Sequence, residues 1–206
     1  TVELKDFEDE TVFGRIIEKK DNKTEPKMRV DLGQAIPKNR NIELVIQKGT
    51  EIGVNQIIPL ATERTIVKLS SSKEKRRLKR WRKIAKEAAK QSQRGQIPKI
   101  TGVVDISDNQ AVERLFTDYD LILILYAKNN SCSIKQALKK YKDQSIDKIL
   151  VLIGPEGGFT NLEIENFNNI GEDRAVQTIN LGKRILRTET AGLVALSTIL
   201  YEFGDL

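Results

Sequence analysis

The sequence of 206 residues contains no histidine and a single cysteine, Cys132. The absence of histidine excludes Ser-His-Asp and Cys-His catalysis and histidine-ligated metals, so carboxylates, lysine, arginine, tyrosine and backbone groups must carry any chemistry. One cysteine cannot form an intrachain disulfide or a Cys-rich zinc site, and we interpret Cys132 as a small buried or loop residue. We therefore expect no bound metal.

Long apolar segments are also missing, and no run approaches the length that spans a bilayer. Residues 1–10 are acidic and polar, without the basic start or apolar core of a signal peptide. These absences favour a cytoplasmic protein that has no membrane partner. The content of 31% charged and 39% apolar residues is typical of a globular chain, and the length suits one domain, either alone or with a small appendage.

Positive charge is concentrated in one segment. The net charge is +6, but residues 73–94 hold eleven Lys or Arg against two Glu, a local +9, and Leu78, Trp81 and Ala85 mark the apolar stripe of a helix. A solvated face is the ordinary interpretation of a charged run, yet this excess of cations is too one-sided for that. We predict that the helix lies along RNA phosphates. The candidate RNA-binding residues are Arg76, Arg77, Arg80, Lys83 and Arg94.

From residue 27 onward, apolar strands alternate with amphipathic helices, which indicates an α/β fold around a mostly parallel sheet. Residues 121–126 and 148–153 are continuously apolar, as in central strands covered on both faces. The predicted helix caps are Asn39 or Asn41, Ser107 in a capping box with Gln110, Ser133, and Thr160 in a capping box with Glu163. The predicted helix stops are Gly53, Gly95 and Gly171.

Residues 1–24 differ from the rest of the chain. They contain two short alternating segments that predict antiparallel strands joined by polar turns. Two strands alone are marginal in water, so they either pack on the main body or form the end of a small β domain. We predict a division between residues 1–24 and residues 25–206.

Two glycine-containing loops each follow a short apolar run. The first loop contains Gly154, Gly157 and Gly158, and the second begins at Gly182. In an α/β protein such loops lie at the carboxyl ends of strands, where ligands bind. A tight strand-to-helix turn explains the first loop equally well, and neither a dinucleotide fingerprint nor a Walker motif is present.

The second loop also carries two arginines, Arg184 and Arg187, just before the last predicted helix. Backbone N–H groups at the start of a helix already favour anions, and two fixed cations strengthen that preference. Surface ion pairing is the alternative interpretation of the arginines. Glu189, beside them, suits the first turn of the helix in any case.

Four segments together resemble the RsmE family of small-subunit ribosomal RNA methyltransferases, which belong to the SPOUT superfamily. They are Ile153-Gly-Pro-Glu-Gly-Gly158, Leu181-Gly-x-Arg-Ile-Leu-Arg-Thr-Glu-Thr190, Ile46-Gln-Lys-x-x-Glu-Ile-Gly-Val54 and Trp81-x-Lys-Ile-Ala-x-Glu-Ala-Ala89. The resemblance runs in order from about residue 28 to residue 206. It implies a trefoil-knotted α/β domain, bound S-adenosylmethionine, and a homodimer with its active sites at the subunit interface.

The family also resembles proteins with an N-terminal PUA-like β-barrel that binds RNA. Residues 1–24 correspond to the C-terminal part of such a barrel, which looks truncated, and residues 25–206 to the methyltransferase domain. The implied substrate is 16S rRNA or the small ribosomal subunit, methylated at N3 of a uridine. The implied cofactor-binding residues are Leu125, Tyr126, Ala127, Gly154, Gly157, Gly158, Leu181, Gly182, Ile185, Leu186 and Thr188.

Methylation at N3 requires the uracil to lose its N3 proton, which places negative charge on the ring oxygens. Arg184 or Arg187 could stabilise that charge, and Glu156, Glu189 or water could accept the proton. Two other interpretations stay open at this point. One is a non-catalytic RNA-binding or ribosome-assembly protein, and the other is a SPOUT methyltransferase that acts on another RNA position.

Overall fold

The computed structural model describes residues 2–9, 11–19, 23–38, 40–65, 71–126, 132–172, 174–204 and 206. In chain order the elements are β1 (Val2–Glu8), β2 (Thr11–Ile16), β3 (Arg29–Ala35), α1 (Asn41–Ile52), β4 (Gln56–Ala61), α2 (Ser71–Gln91), β5 (Lys99–Ile100), β6 (Val104–Asp105), α3 (Asn109–Phe116), β7 (Leu121–Leu125), β8 (Cys132–Ser133), α4 (Ile134–Tyr141), β9 (Lys148–Ile153), α5 (Asn161–Ile170), β10 (Val176–Asn180) and α6 (Thr188–Glu202).

The main sheet has the strand order β5-β4-β3-β9-β7-β10-β8. Strand β6 also pairs with β4, further along β4 than β5 does. Every pairing in this sheet that the described residues show is parallel. The carboxyl ends of its strands therefore meet at one edge. The prediction of an α/β fold around a mostly parallel sheet is confirmed.

The central strands are buried on both faces. Along β7, Leu121 and Leu123 join the core beneath α1, α2, α4 and α6, whereas Ile122 and Ile124 join the core beneath α3 and α5. This alternation follows from the two-residue period of a strand, and it explains why every position of a central strand is apolar.

Two of the predicted helix caps are confirmed, and two are wrong. Capping boxes begin α4 at Ser133 and α5 at Thr160. Helix α3 is capped by Asp108 and not by Ser107, because the Asp108 carboxylate accepts hydrogen bonds from the backbone N–H groups of the first turn. The cap position of α1 is Arg40, and Asn41 is the first helical residue, whose side-chain amide donates a hydrogen bond to Glu189. Asn39 lies outside the described residues.

The helix stops follow the prediction more closely. Gly53 ends α1 with φ of 122°, and Gly171 ends α5. Helix α2 ends at Gln91, earlier than the predicted stop at Gly95, and Gln93 adopts a positive φ of 58°. After α2 the chain forms two short strands, β5 and β6, before α3 begins.

Strands β1 and β2 form a separate two-stranded antiparallel sheet, as predicted. Its apolar side chains are exposed: Phe7 is 66% exposed, and Val2, Val12 and Ile16 are similarly open. Within the described residues, these side chains do not enter a core. That exposure is the behaviour expected of two strands that cannot form a core alone.

Candidate functional site

Five loops meet at the carboxyl edge of the main sheet and surround a cavity of about 610 Å³, called here the edge cavity. They follow β3, β4, β7, β9 and β10, which all point the same way. The lining residues are Lys38, Asn41, Arg64, Leu125, Tyr126, Ile153, Gly154, Pro155, Glu156, Gly157, Gly158, Phe159, Ile185, Leu186, Arg187, Thr188, Glu189 and Ala191.

The first glycine loop, residues 154–159, makes a tight turn in which two glycines cannot be replaced by larger residues without strain. Gly158 donates a backbone hydrogen bond to the Pro155 carbonyl at 2.8 Å and has a positive φ of 68°. A Cβ atom at Gly154 would lie 2.9 Å from the backbone nitrogen of Phe159. The loop conformation therefore depends on Gly154 for close packing and on Gly158 for its backbone angle.

A buried threonine joins the two glycine loops. Oγ1 of Thr188, at the start of α6, donates to the Gly154 carbonyl at 2.6 Å and accepts from Nε2 of Gln34 at 2.8 Å. Gln34 is fully buried on β3. One hydroxyl thus holds the loops after β9 and β10 against the central strand β3. Gln34 was not predicted as a site residue, because a single polar residue in a strand does not reveal its partner.

Thr188→Val should weaken cofactor binding about tenfold and lower the free energy of unfolding by about 1–3 kcal/mol, because it removes both hydrogen bonds at nearly constant volume. Calorimetric titration with the cofactor measures the change in affinity, and thermal unfolding measures the change in stability. Thr198→Val is the matched control on α6, since its hydroxyl bonds only to the Val194 carbonyl of the same helix. Equal affinity in Thr188→Val and Thr198→Val would contradict the role of Thr188.

The charged candidates of the cavity have different surroundings. Arg187 lines the cavity from the exposed position before α6, whereas Arg184 is exposed on the same loop and does not line it. Glu189 is buried and accepts a hydrogen bond from the Asn41 amide at 3.1 Å. Glu156 is exposed and accepts from the backbone N–H of Lys38 at 2.8 Å. Of the two arginines, only Arg187 faces the cavity.

Most predicted cofactor-binding positions lie together. Those that line the edge cavity are Leu125, Tyr126, Gly154, Gly157, Gly158, Ile185, Leu186 and Thr188. Leu181 and Gly182 are not among the residues that line the cavity. Leu181 packs against the main core, and Gly182 has a φ of 100° in the turn after β10. Ala127 lies outside the described residues.

Two basic residues of the cavity were not predicted as site residues. Lys38 follows β3, and its position after a central parallel strand is the signal that could have identified it. Arg64 follows β4, and its Nη1 donates to the Gly157 carbonyl. The first glycine loop therefore accepts two side-chain hydrogen bonds, an exposed one from Arg64 and a buried one from Thr188.

The basic helix α2 buries the predicted stripe and exposes most of its cations. Trp81, Ala85, Ala88 and Ala89 are buried, and Lys83 is exposed. The side chains of Arg76, Arg77 and Arg80 surround a common depression. Four of the five predicted RNA-binding residues thus lie on this side of the protein, within reach of a ligand.

Arg94 is the exception, and the structure contradicts its place among the RNA-binding residues. Its side chain is only 5% exposed. Its guanidinium pairs with Glu25 at 2.7 Å and donates to the carbonyls of Thr50 and Val54 at 3.0 and 2.8 Å. Arg94 therefore joins the end of α1 to the segment before β3, and its donors are used inside the protein.

Arg94→Ala should lower the free energy of unfolding at neutral pH by roughly 2–3 kcal/mol, because a partly buried carboxylate and two carbonyls lose a charged donor. Burial by itself would raise the pKa of Glu25, but the hydrogen bonds from Arg94 and the backbone and the Arg94 charge lower it overall. This stabilisation is present above the ordinary pKa and is lost as pH falls through the folded-state pKa.

Urea unfolding at several pH values measures both effects. Arg94→Ala should also show a smaller loss of stability on acidification than the parent chain. Lys90→Ala, which removes an exposed cation near the same end of α2, should change stability by no more than about 0.5 kcal/mol. Equal changes in the two variants would show that Arg94 is an ordinary surface cation.

The described helices include none that meets the requirements of a membrane span. Over the same described part of the chain, no cluster of cysteine and carboxylate side chains could hold a metal ion.

Comparison with known proteins defines the class of the protein. Residues 23–200 match the family model of the RNA methyltransferase domain. Two solved structures share the fold. A methyltransferase from Legionella pneumophila, described in complex with the bound cofactor SAM, has a TM-score of 0.80 and 33% identity, covering 97% of this chain and 77% of that one. A ribosomal RNA small subunit methyltransferase E from Neisseria gonorrhoeae, bound to S-adenosyl methionine, has a TM-score of 0.79 and 29% identity, covering 96% and 76%.

Curated relatives narrow the class to one family. The ribosomal RNA small subunit methyltransferase E of Bacillus subtilis is 37% identical over 203 residues, which cover 97% of this chain and 76% of the relative. The corresponding protein of Mesomycoplasma hyopneumoniae is 41% identical over 182 residues, covering 88% and 74%. The chain belongs to the ribosomal RNA small subunit methyltransferase E family. The predicted family is confirmed, and so is the predicted α/β fold around a mostly parallel sheet.

Proposed function

We propose that this protein transfers a methyl group from S-adenosylmethionine to N3 of a uridine in 16S rRNA. The observation that carries the proposal is the edge cavity, where both glycine loops and Arg187 meet in a member of this family. The names of the relatives support small-subunit ribosomal RNA as the substrate, and the solved neighbours described with the bound cofactor support S-adenosylmethionine as the methyl donor.

The residues of the edge cavity fit the cofactor. Its volume of about 610 Å³ lies within the range of small-molecule sites. Leu125, Ile153 and Leu186 supply apolar walls for the adenine. A Cβ atom at Gly158 would contact nothing within 4 Å, so the loop leaves open space there for the ribose and methionine portions. When bound, S-adenosylmethionine supplies an activated methyl group.

The chain itself then has to orient the uracil and control its charge. We assign charge stabilisation to Arg187 and not to Arg184, because Arg187 lines the edge cavity. A fixed guanidinium near the ring oxygens favours the negative charge that develops when the N3 proton leaves. Glu156, Glu189 and water remain the alternative proton acceptors, and the exposure of Glu156 gives it the most direct exchange with solvent.

We further propose a homodimer in which a second copy covers the rim of the edge cavity. Ile185 is 96% exposed there, next to the half-buried Leu186, and an apolar rim of this kind favours a covering surface. Residues 1–24 are proposed to be the end of a PUA-like barrel, which their exposed apolar side chains support. Because the proposed substrate is ribosomal, we also propose that the protein acts in the cytoplasm.

Calorimetric titration with S-adenosylmethionine tests the proposal against a non-catalytic RNA-binding protein of the same fold. We expect saturable binding at one site per chain, and competition by S-adenosylhomocysteine. Absence of binding to a folded sample would reject the methyltransferase function and favour the non-catalytic alternative. The position of the methyl group on RNA then separates N3 of uridine from other methylation sites.

A further inference from the structure

Four arginines from two separate elements surround one concave site on the protein, called here the arginine niche. Arg40 lies immediately before α1, and Arg76, Arg77 and Arg80 come from α2. The niche has a volume of about 390 Å³ and is also lined by Ile42, Glu43 and Trp81. Four cations against one carboxylate leave a local charge of +3.

The niche has a rigid floor and one fixed wall. Trp81 is only 1% exposed, so the indole forms part of the core beneath the arginines. Arg80 is held by Glu43 through a hydrogen bond of 2.7 Å. Arg76 and Arg80 are four residues apart on α2 and therefore lie on the same side of the helix. A site with a buried floor and an oriented guanidinium differs from a diffuse charged surface.

Arginine in this setting selects a phosphate group. The planar guanidinium matches phosphate oxygens in a bidentate manner, which the ammonium group of lysine cannot do. All four cations of the niche are arginines, although Lys79, Lys83 and Lys86 lie on the same helix. The chemistry of the niche therefore suits one phosphate, whereas the lysines suit general attraction to a nucleic acid.

The niche is also close to the edge cavity along the chain. Lys38 and Asn41 line the edge cavity, and Arg40, between them, lines the niche. The segment after β3 therefore contributes to both sites. An RNA strand that lies over this segment would contact both sites.

We propose that the arginine niche binds one phosphodiester group of the RNA strand whose uridine enters the edge cavity. This inference rests on the proposed function, because it assumes that the base in the cavity belongs to RNA. The niche sets the register of the strand, and the remaining cations of α2 contribute affinity that does not depend on position.

The fluorescence of Trp81 tests the proposal directly, since this floor residue is the only tryptophan in the chain. Decauridylate is titrated into the full chain at several salt concentrations. Arg40→Lys and Arg77→Lys keep the charge but lose the bidentate geometry, and we expect each to weaken binding about tenfold. Lys79→Arg is the matched exchange outside the niche. It keeps the positive charge that attracts phosphates in general, so it should change the affinity for decauridylate less than about twofold.

Two results would overturn the proposal: equal affinity for decauridylate in the niche and control variants, or an equal response to inorganic phosphate at matched phosphate concentration. Calorimetry with S-adenosylmethionine distinguishes a failure of the phosphate site from a failure of the proposed methyltransferase function. Niche variants should bind the cofactor as the parent does. If decauridylate binding depends on the niche but no methyl transfer occurs with ribosomal RNA, the niche is supported and the proposed function fails.

Discussion

Arg187→Ala is expected to lower the rate of methyl transfer at saturating cofactor and RNA by about 100-fold or more, the usual effect of removing one group that stabilises a developing anion. Arg187 lines the edge cavity beside both glycine loops, and its exposed side chain is not needed for core packing. The expected loss therefore lies in turnover, while the affinity for S-adenosylmethionine changes little. Single-turnover transfer of a labelled methyl group measures the effect.

The same loop offers two controls for this experiment. Lys183→Ala removes an exposed cation that does not line the edge cavity, and Arg184→Ala tests the second arginine of the motif. Both should retain most of the parent rate. Unchanged turnover in Arg187→Ala, or a larger loss in Arg184→Ala, would contradict the assignment of Arg187.

Gly154→Ala is expected to reduce cofactor affinity by more than about tenfold and to destabilise the fold by about 1–3 kcal/mol, the usual cost of overpacking. The new Cβ atom would lie 2.9 Å from the nitrogen of Phe159 and 3.1 Å from the backbone of Gly158. All three nearest atoms belong to backbone, so no side chain can turn away to make room. The first glycine loop must shift as a whole, and with it the wall of the edge cavity.

Gly102→Ala is the matched control for that substitution. A Cβ atom at Gly102 has only the Glu74 carboxylate nearby, at 3.8 Å, and its backbone angle is not in the positive region. Thermal unfolding and calorimetric titration should distinguish the two alanine variants clearly. If Gly154→Ala binds the cofactor as tightly as Gly102→Ala, the first glycine loop does not shape the site.

The sequence predicts the strands and the location of the site better than it predicts the contacts that support the site. Continuous apolar runs identify β7 and β9, because strands covered on both faces have no exposed position to mark with a polar residue. Glycine loops after such strands must then meet at one edge. The hydrogen bond from the Gln34 side chain to the Thr188 hydroxyl joins residues 154 positions apart in the sequence, and no local pattern predicts it.

Burial of charge is the other feature that local patterns do not reveal. Arg94 contributes to the positive segment in the same way as Arg77 when charges are counted along the chain. It points inward because Glu25 and two backbone carbonyls, all distant in sequence, need a donor. Likewise, Arg40 joins the arginine niche only because α1 packs against α2. The trefoil knot stays a prediction from the family resemblance, because ordinary connection rules make knots very rare and no local pattern predicts one.

Mapping the transferred methyl group is the decisive test of methyl transfer to N3 of a uridine in 16S rRNA. Small ribosomal subunits that lack the modification are incubated with the protein and labelled S-adenosylmethionine, and the labelled nucleotide is located by mass spectrometry. We predict a single 3-methyluridine in 16S rRNA, formed by the parent protein and nearly absent with Arg187→Ala. Label on a ribose hydroxyl, on another base or on no RNA at all would contradict the account.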